Sequence, residues 1–169
     1  MPTSSPNNLS FLANNKYEFV IERLPNFQFF VQGINMPTIT LGDTVTASPW
    51  VDLHTPSNKL IFEQLTMTYA IDEDMQSWFD LYTWMVNLGN PESLDKTGVL
   101  TRDPGRPNSV MSDATLFIKT NSNNPNIKVT FVDIFPVDLT GFQLSSSEGQ
   151  DFQTSTVTFS YSYFQIEKL

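Results

Sequence analysis

The chain has no cysteine, which removes disulfide frameworks, thiolate zinc sites and cysteine nucleophiles together. It has one histidine, His54, so no site that needs two is available. Basic residues are scarce, with nine Lys and Arg against eighteen Asp and Glu in 169 residues. A module that grips nucleic acid needs a basic stripe to displace counterions, and nothing here supplies one. Acidity still lets a nucleic acid pass nearby; what it opposes is adhesion. No apolar run approaches the length that spans a bilayer, so no membrane partner is expected. The start, Met-Pro-Thr-Ser-Ser-Pro-Asn-Asn, lacks the basic and apolar regions of a secretory signal, which leads to the expectation of a soluble, intracellularly made protein. Asn8-Leu9-Ser10 matches a glycosylation sequon, a coincidence in the absence of such a signal. Walker-type and dinucleotide-type glycine patterns are missing, as is a Gly-x-Ser-x-Gly elbow. Neither a metal nor a cofactor is expected, and no enzymatic activity.

What the chain does have is aromatic residues, with 14 Phe, 5 Tyr and 3 Trp, a composition that favours β structure. Its length is enough for one domain with a core of its own. Alternation points the same way. Tyr17, Phe19 and Ile21 face away from Glu18 and Glu22. After Leu24-Pro25-Asn26, Phe27, Phe29 and Val31 face away from Gln28 and Gln32, so the two runs predict a hairpin. A short strand over 38–41 ends at Gly42-Asp43. In 60–71, Leu65, Met67, Tyr69 and Ile71 share one face against Gln64, Thr66, Thr68 and Ala70. Leu60 and Phe62 lie on the other phase, which predicts a bulge near Glu63-Gln64. Strands follow over 114–120 and 127–134, with Phe135-Pro136 breaking the second.

The final run alternates most cleanly. Val157, Phe159, Tyr161 and Tyr163 point one way, and Thr154, Thr156, Thr158, Ser160 and Ser162 the other. One strand over 151–165 is predicted, oily on one face and hydroxylated on the other. The second face is too polar for a core and too bland for catalysis.

Between these strands the period changes once. Met75, Trp78, Phe79, Tyr82 and Met85 recur at three and four residues, predicting an amphipathic helix over 73–88. Asp72, Glu73 and Asp74 sit where the helix dipole and orphan N–H groups favour them, a better reading than a metal cluster. Gly89 is placed to close the helix in a left-handed conformation. Residues 1–15 read as a flexible arm and 16–169 as one domain. The Pro-rich segment 90–112 reads as a long loop, with Arg102 and Arg106 as possible partner contacts. Segment 44–58 contains Pro49 and suits an edge or an excursion. There, Trp50 is costly to leave in water, so Trp50, Val51, Leu53 and His54 are candidates for a contact between subunits. His54 with Asp52 does not make a convincing dyad.

The order of these features resembles the tail tube protein of contractile-tailed bacteriophages. The stretch Leu65-Thr-Met-Thr-Tyr-Ala-Ile-Asp-Glu-Asp74 with Trp78-Phe79-Asp80-Leu81-Tyr82 is similar to that family's strand, acidic helix start and aromatic helix. Ile127-Lys-Val-Thr-Phe-Val-Asp-Ile-Phe-Pro136 is similar to its strand ending in aromatic-Pro. Phe142-Gln-Leu followed by Gln153-Thr-Ser-Thr-Val-Thr-Phe-Ser-Tyr is similar to its last hairpin. The resemblance implies a mainly β, antiparallel barrel or sandwich with one flanking helix. It further implies six copies per ring, rings stacked into a tube for DNA ejection, and an arm at 44–58 reaching a neighbour. Sheath, baseplate and tape measure proteins are the implied partners, the virion tail the implied location, and the host cytoplasm the place of assembly. Gln64, Thr66, Thr68, Thr154, Thr156, Thr158, Ser160 and Ser162 are then candidates for the lumen wall. Two alternatives stay open: a baseplate junction or tail terminator built on the same fold, and a carbohydrate-binding β-sandwich using Trp50 as a stacking platform.

Overall fold

Alternation of apolar and polar residues decides most of the strands, and pairing decides where they end. The computed structural model describes residues 10–89, 110–145 and 152–169. In chain order these form β1 (Tyr17–Ile21), β2 (Val31–Asn35), β3 (Ile39–Thr46), β4 (Leu53–Phe62), β5 (Leu65–Ala70), α1 (Gln76–Gly89), β6 (Ser112–Lys119), β7 (Pro125–Leu139), β8 (Thr154–Ser160) and β9 (Tyr163–Lys168). A 7-stranded sheet runs β1-β6-β7-β8-β5-β2, with β9 also on β7, while β3 and β4 pair only with each other. All the pairings are antiparallel.

The long strand β7 belongs to two leaves. Up to Ile134 it pairs with β6 along one edge and, from Val132↔Tyr163 to Ile127↔Lys168, with β9 along the other. From Phe135 to Leu139 it pairs with β8. One leaf is thus β1, β6, β9 and the first part of β7; the other is β2, β5, β8 and its end. Between them lie Phe19, Ile21, Leu65, Met67, Tyr69, Leu116, Val129, Phe131, Val157 and Phe159, all at most 3% exposed. Helix α1 adds Leu81 and Trp84 to this core, and the Trp84 indole N–H donates to the Val110 carbonyl at 3.1 Å. The sheet stays open among the described residues, because β1 and β2 end it and do not meet. The sandwich expectation holds, and a closed barrel within one chain does not.

Several local expectations need correcting. The pair 17–21 and 27–31 is no hairpin, since β1 pairs with β6 and β2 with β5. Phe27 to Phe29 instead wind into one 3-10 turn, which buries Phe27 at 2% and leaves Phe29 76% exposed. Local alternation could not foresee this, because it marks a strand without saying that its partner lies far along the chain, β6 for β1 and β5 for β2. The strand over 38–41 runs on to Thr46, passing Gly42-Asp43 by a bulge between Leu41 and Asp43. The interruption at Glu63-Gln64 is where it was expected, and it separates β4 from β5. Pro136 does not break β7; it sits in the ladder opposite Phe159, beside a register shift.

The single closing strand over 151–165 is two strands, β8 and β9, kinked at Tyr161-Ser162. Across the ladder β7 kinks as well, with Asp133 at a φ of 58°. The Ser162 N–H donates to Val132 O at 3.0 Å, and its hydroxyl donates to the Asp133 carboxylate at 3.3 Å. The kink adds a residue to the inward phase, so Phe164 is buried at 9% and Tyr163 is 42% exposed. Helix α1 begins later than expected, at Gln76, after Met75 adopts a φ of 54°. Gly89 is its last residue and has no left-handed φ. Of the 1–15 arm and the 90–112 loop, residues 1–9 and 90–109 lie outside the described residues, as do Arg102 and Arg106.

Candidate functional site

Pairing gathers the hydroxyl-bearing residues into one surface. Along β5 and β8, Thr66 faces Thr158, Thr68 faces Thr156 and Ala70 faces Thr154. The intervening residues, Leu65 with Phe159 and Met67 with Val157, point into the core, as a period of two requires. Thr66, Thr68, Thr156, Thr158 and Ser160 are half-buried and Thr154 is exposed. Two of the candidates fall outside this row. Gln64 lies exposed in the joint between β4 and β5, and Ser162 lies at the kink.

The register extends the same face to residues that sequence reasoning missed. Gly33 and Asn35 of β2 stand beside Thr68 and Thr66, and Asp138 of β7 stands opposite Thr158. No local signal marks them, because membership depends on which distant strands pair. This leaf contains no Lys or Arg in β2, β5, β8 or the 135–139 end of β7. The other leaf differs. Its outer side carries a 2.7 Å ion pair between Lys119 and Glu18 and the cross-strand neighbours Lys128 and Glu167. Among the described residues the hydroxyl face is therefore neutral to acidic, and its strands present no cationic side chain to a phosphate.

The second surface is the β3–β4 ribbon, whose two strands have no further strand beside them among the described residues. Trp50 (94% exposed) and Val51 occupy the turn at its tip, and Leu53 and His54 begin β4. All four candidates for an arm contact are thus at the outer end of the ribbon. Ile39, Leu41, Val45, Leu60 and Ile61 are each about half exposed along its length. His54 does not pair with Asp52; its Nδ1 lies 2.7 Å from the Asp43 carboxylate across the ribbon, with both side chains mostly in solvent. An isolated two-stranded ribbon is marginal in water, and burying a large apolar side chain stabilises by about 1.5–3 kcal/mol. Such a ribbon gains by lying against something.

At its base the ribbon meets the core. Glu63 N–H donates to Thr38 O at 3.0 Å, and the Tyr161 hydroxyl donates to Glu63 O at 2.6 Å. Burial, with a further push from the Glu63 charge, raises the Tyr161 phenol to about 12. Elsewhere, Trp78 stacks on Tyr82 beside an apolar depression completed by Met85, Val86 and Leu139. Among the described residues no three His, Cys, Asp or Glu cluster closely enough to hold a metal ion. Asp72 is occupied in capping α1, accepting the N–H groups of Gln76 and Ser77.

Known proteins share this fold. The chain is 28% identical over 141 residues to the tail tube terminator protein of Enterobacteria phage T4, covering 82% of this chain and 74% of that protein. Its fold matches the tube-terminating cap of the anti-feeding prophage with a TM-score of 0.68, at 9% identity and coverage of 100% and 99%. It also matches a chain of the sheath-tube complex of the extracellular contractile injection system PVC, with a TM-score of 0.65, 10% identity and coverage of 94% and 92%. Residues 5–167 match the family described as phage tail tube protein. The chain belongs to the phage tail tube protein family, as a component of the virion tail.

Proposed function

We propose that this chain is a ring-forming subunit of a phage tail tube, seated at the end of the tube as its terminator. The observation that carries ring formation is the β3–β4 ribbon, an exposed apolar element with no further strand beside it among the described residues. A ribbon that reaches a neighbour related by rotation makes a head-to-tail contact, and such contacts give a ring when the rotation closes and an open filament when it does not. Six copies is the number that the family resemblance implies. The place at the end of the tube rests on the sequence likeness to the T4 terminator, which extends over most of the chain.

In this reading the Thr66–Thr158 face lines the channel, and DNA passes it without specific binding. Hydroxyls and one carboxylate offer phosphates no counterion to exchange, so the wall imposes little electrostatic drag. Tail sheath, baseplate and tape measure proteins are the expected neighbours, with assembly in the host cytoplasm. A second reading, a subunit of the tube body, is supported by the family description itself. The two differ at one ring face. A terminator must refuse a further copy of itself, whereas a body subunit must accept one.

Electron microscopy of the purified protein at rising concentration tests this. Single rings that do not stack are expected. Long tubes of the protein alone would establish the body reading instead. Monomers under all conditions would remove both.

A further inference from the structure

We infer that Tyr161 is a latch that fixes the direction in which the β3–β4 ribbon leaves the body of the subunit. The ribbon joins the body through two short single-chain segments, 36–38 before β3 and 63–64 after β4. A single backbone bond, Glu63 N–H to Thr38 O, closes the ribbon across these segments. This bond ties the two segments to each other but not to the core, so by itself it does not set the direction of the ribbon.

Tyr161 supplies the missing tie. Its hydroxyl donates to Glu63 O at 2.6 Å, joining residues 98 apart in sequence. The ring behind that hydroxyl is fixed on the core side, edge-on to Phe131 at 5.2 Å and to Phe164 at 6.1 Å, and both of these residues are buried. Phe62, the last residue of β4, packs edge-on to Phe164 at 5.3 Å and lies 6.4 Å from the Tyr161 ring. The ribbon therefore ends on an aromatic cluster, and its joint hangs from a phenol that the cluster holds in place. With the phenol raised to about 12, the hydroxyl remains a donor throughout the ordinary pH range. The kink at Tyr161-Ser162 thus has a use, since it occurs at the residue that reaches the joint. The role of the latch in ring assembly rests on the function proposed above; the latch itself does not.

Hydrogen exchange on the isolated subunit tests the latch without requiring rings. Tyr161→Phe keeps the ring and removes the hydroxyl. The Glu63 amide and its neighbours in β3 and β4 should exchange about fivefold faster in the variant, the scale of one lost hydrogen bond. Core amides at Met67 and Val157 should keep their rates. Unchanged exchange at the ribbon base, or equal acceleration everywhere, would overturn the latch. Should the variant fail to fold, the wild type decides: the Glu63 amide must be better protected than ladder amides near the tip, and equal protection along the ribbon refutes the inference. Ring formation by the wild type is scored separately, so a subunit that never assembles counts against the function and not against the latch.

Discussion

Asp72 holds the start of α1 from four residues away. The turn closed by Met75 N–H on Asp72 O, with Met75 in the left-handed region, brings the carboxylate over the first helical N–H groups. It accepts from Gln76 at 3.0 Å and Ser77 at 3.1 Å. Desolvation pushes its carboxyl up, but the hydrogen bonds from Ser77 and Gln76 outweigh that and leave it below the usual aspartate value. A carboxyl lowered by folding adds stability above its unfolded pKa, and that stability is lost as pH falls through the folded value. Asp72→Ala should therefore cost about 1 kcal/mol at neutral pH. The gap from wild type should close below about pH 4, as thermal melts across pH would record. The acidic trio before an aromatic period made this cap legible in the sequence. Which of the three carboxylates would serve was not, because the choice depends on a backbone turn that Met75, a residue with no preference for a positive φ, adopts under its surroundings.

At the scale of elements, strands with one buried face were legible and their partners were not. Leu65, Met67 and Tyr69 against Thr66 and Thr68 announced β5, and the change of phase at Leu60 and Phe62 announced the joint before it. The closing run failed because Tyr161 and Tyr163 keep the alternation in sequence while the chain kinks between them; aromatic residues fit either side of such a bend. Of the residues grouped by alternation, Thr66, Thr68, Thr154, Thr156, Thr158 and Ser160 share one face of the β5–β8 pair, whereas Gln64 and Ser162 lie in the joint and at the kink beyond it. The ribbon was legible only as an anomaly, a tryptophan near a proline with no core pattern around it. Its tip offers a clean test. Trp50 is 94% exposed, so Trp50→Ala should leave the melting temperature within about 2 °C of wild type. Ring formation should nevertheless be lost, as followed by sedimentation. Intact rings combined with a lost affinity for glycans would favour a carbohydrate-binding surface instead.

For the whole molecule, the net charge of -9 is unevenly placed. The leaf bearing the hydroxyl face has no cation, whereas the other leaf carries Lys119 and Lys128. Thr156→Lys adds one positive charge per subunit at a half-buried position pointing away from the core, so the fold should hold. Tails assembled with it should release DNA severalfold more slowly at low salt, and the difference should shrink as salt screens the new charges. Ejection at the wild-type rate from assembled tails would remove this face from the channel. The strand shared by both leaves matters here in another way. In the proposed role, any load along the tube axis passes through each subunit. In a sandwich of two separate sheets, an applied force can slide one greasy face over the other. Here β7 runs through both, so sliding must bend its covalent backbone or peel its ladders on β6, β8 and β9. The leaves resist shear as one beam.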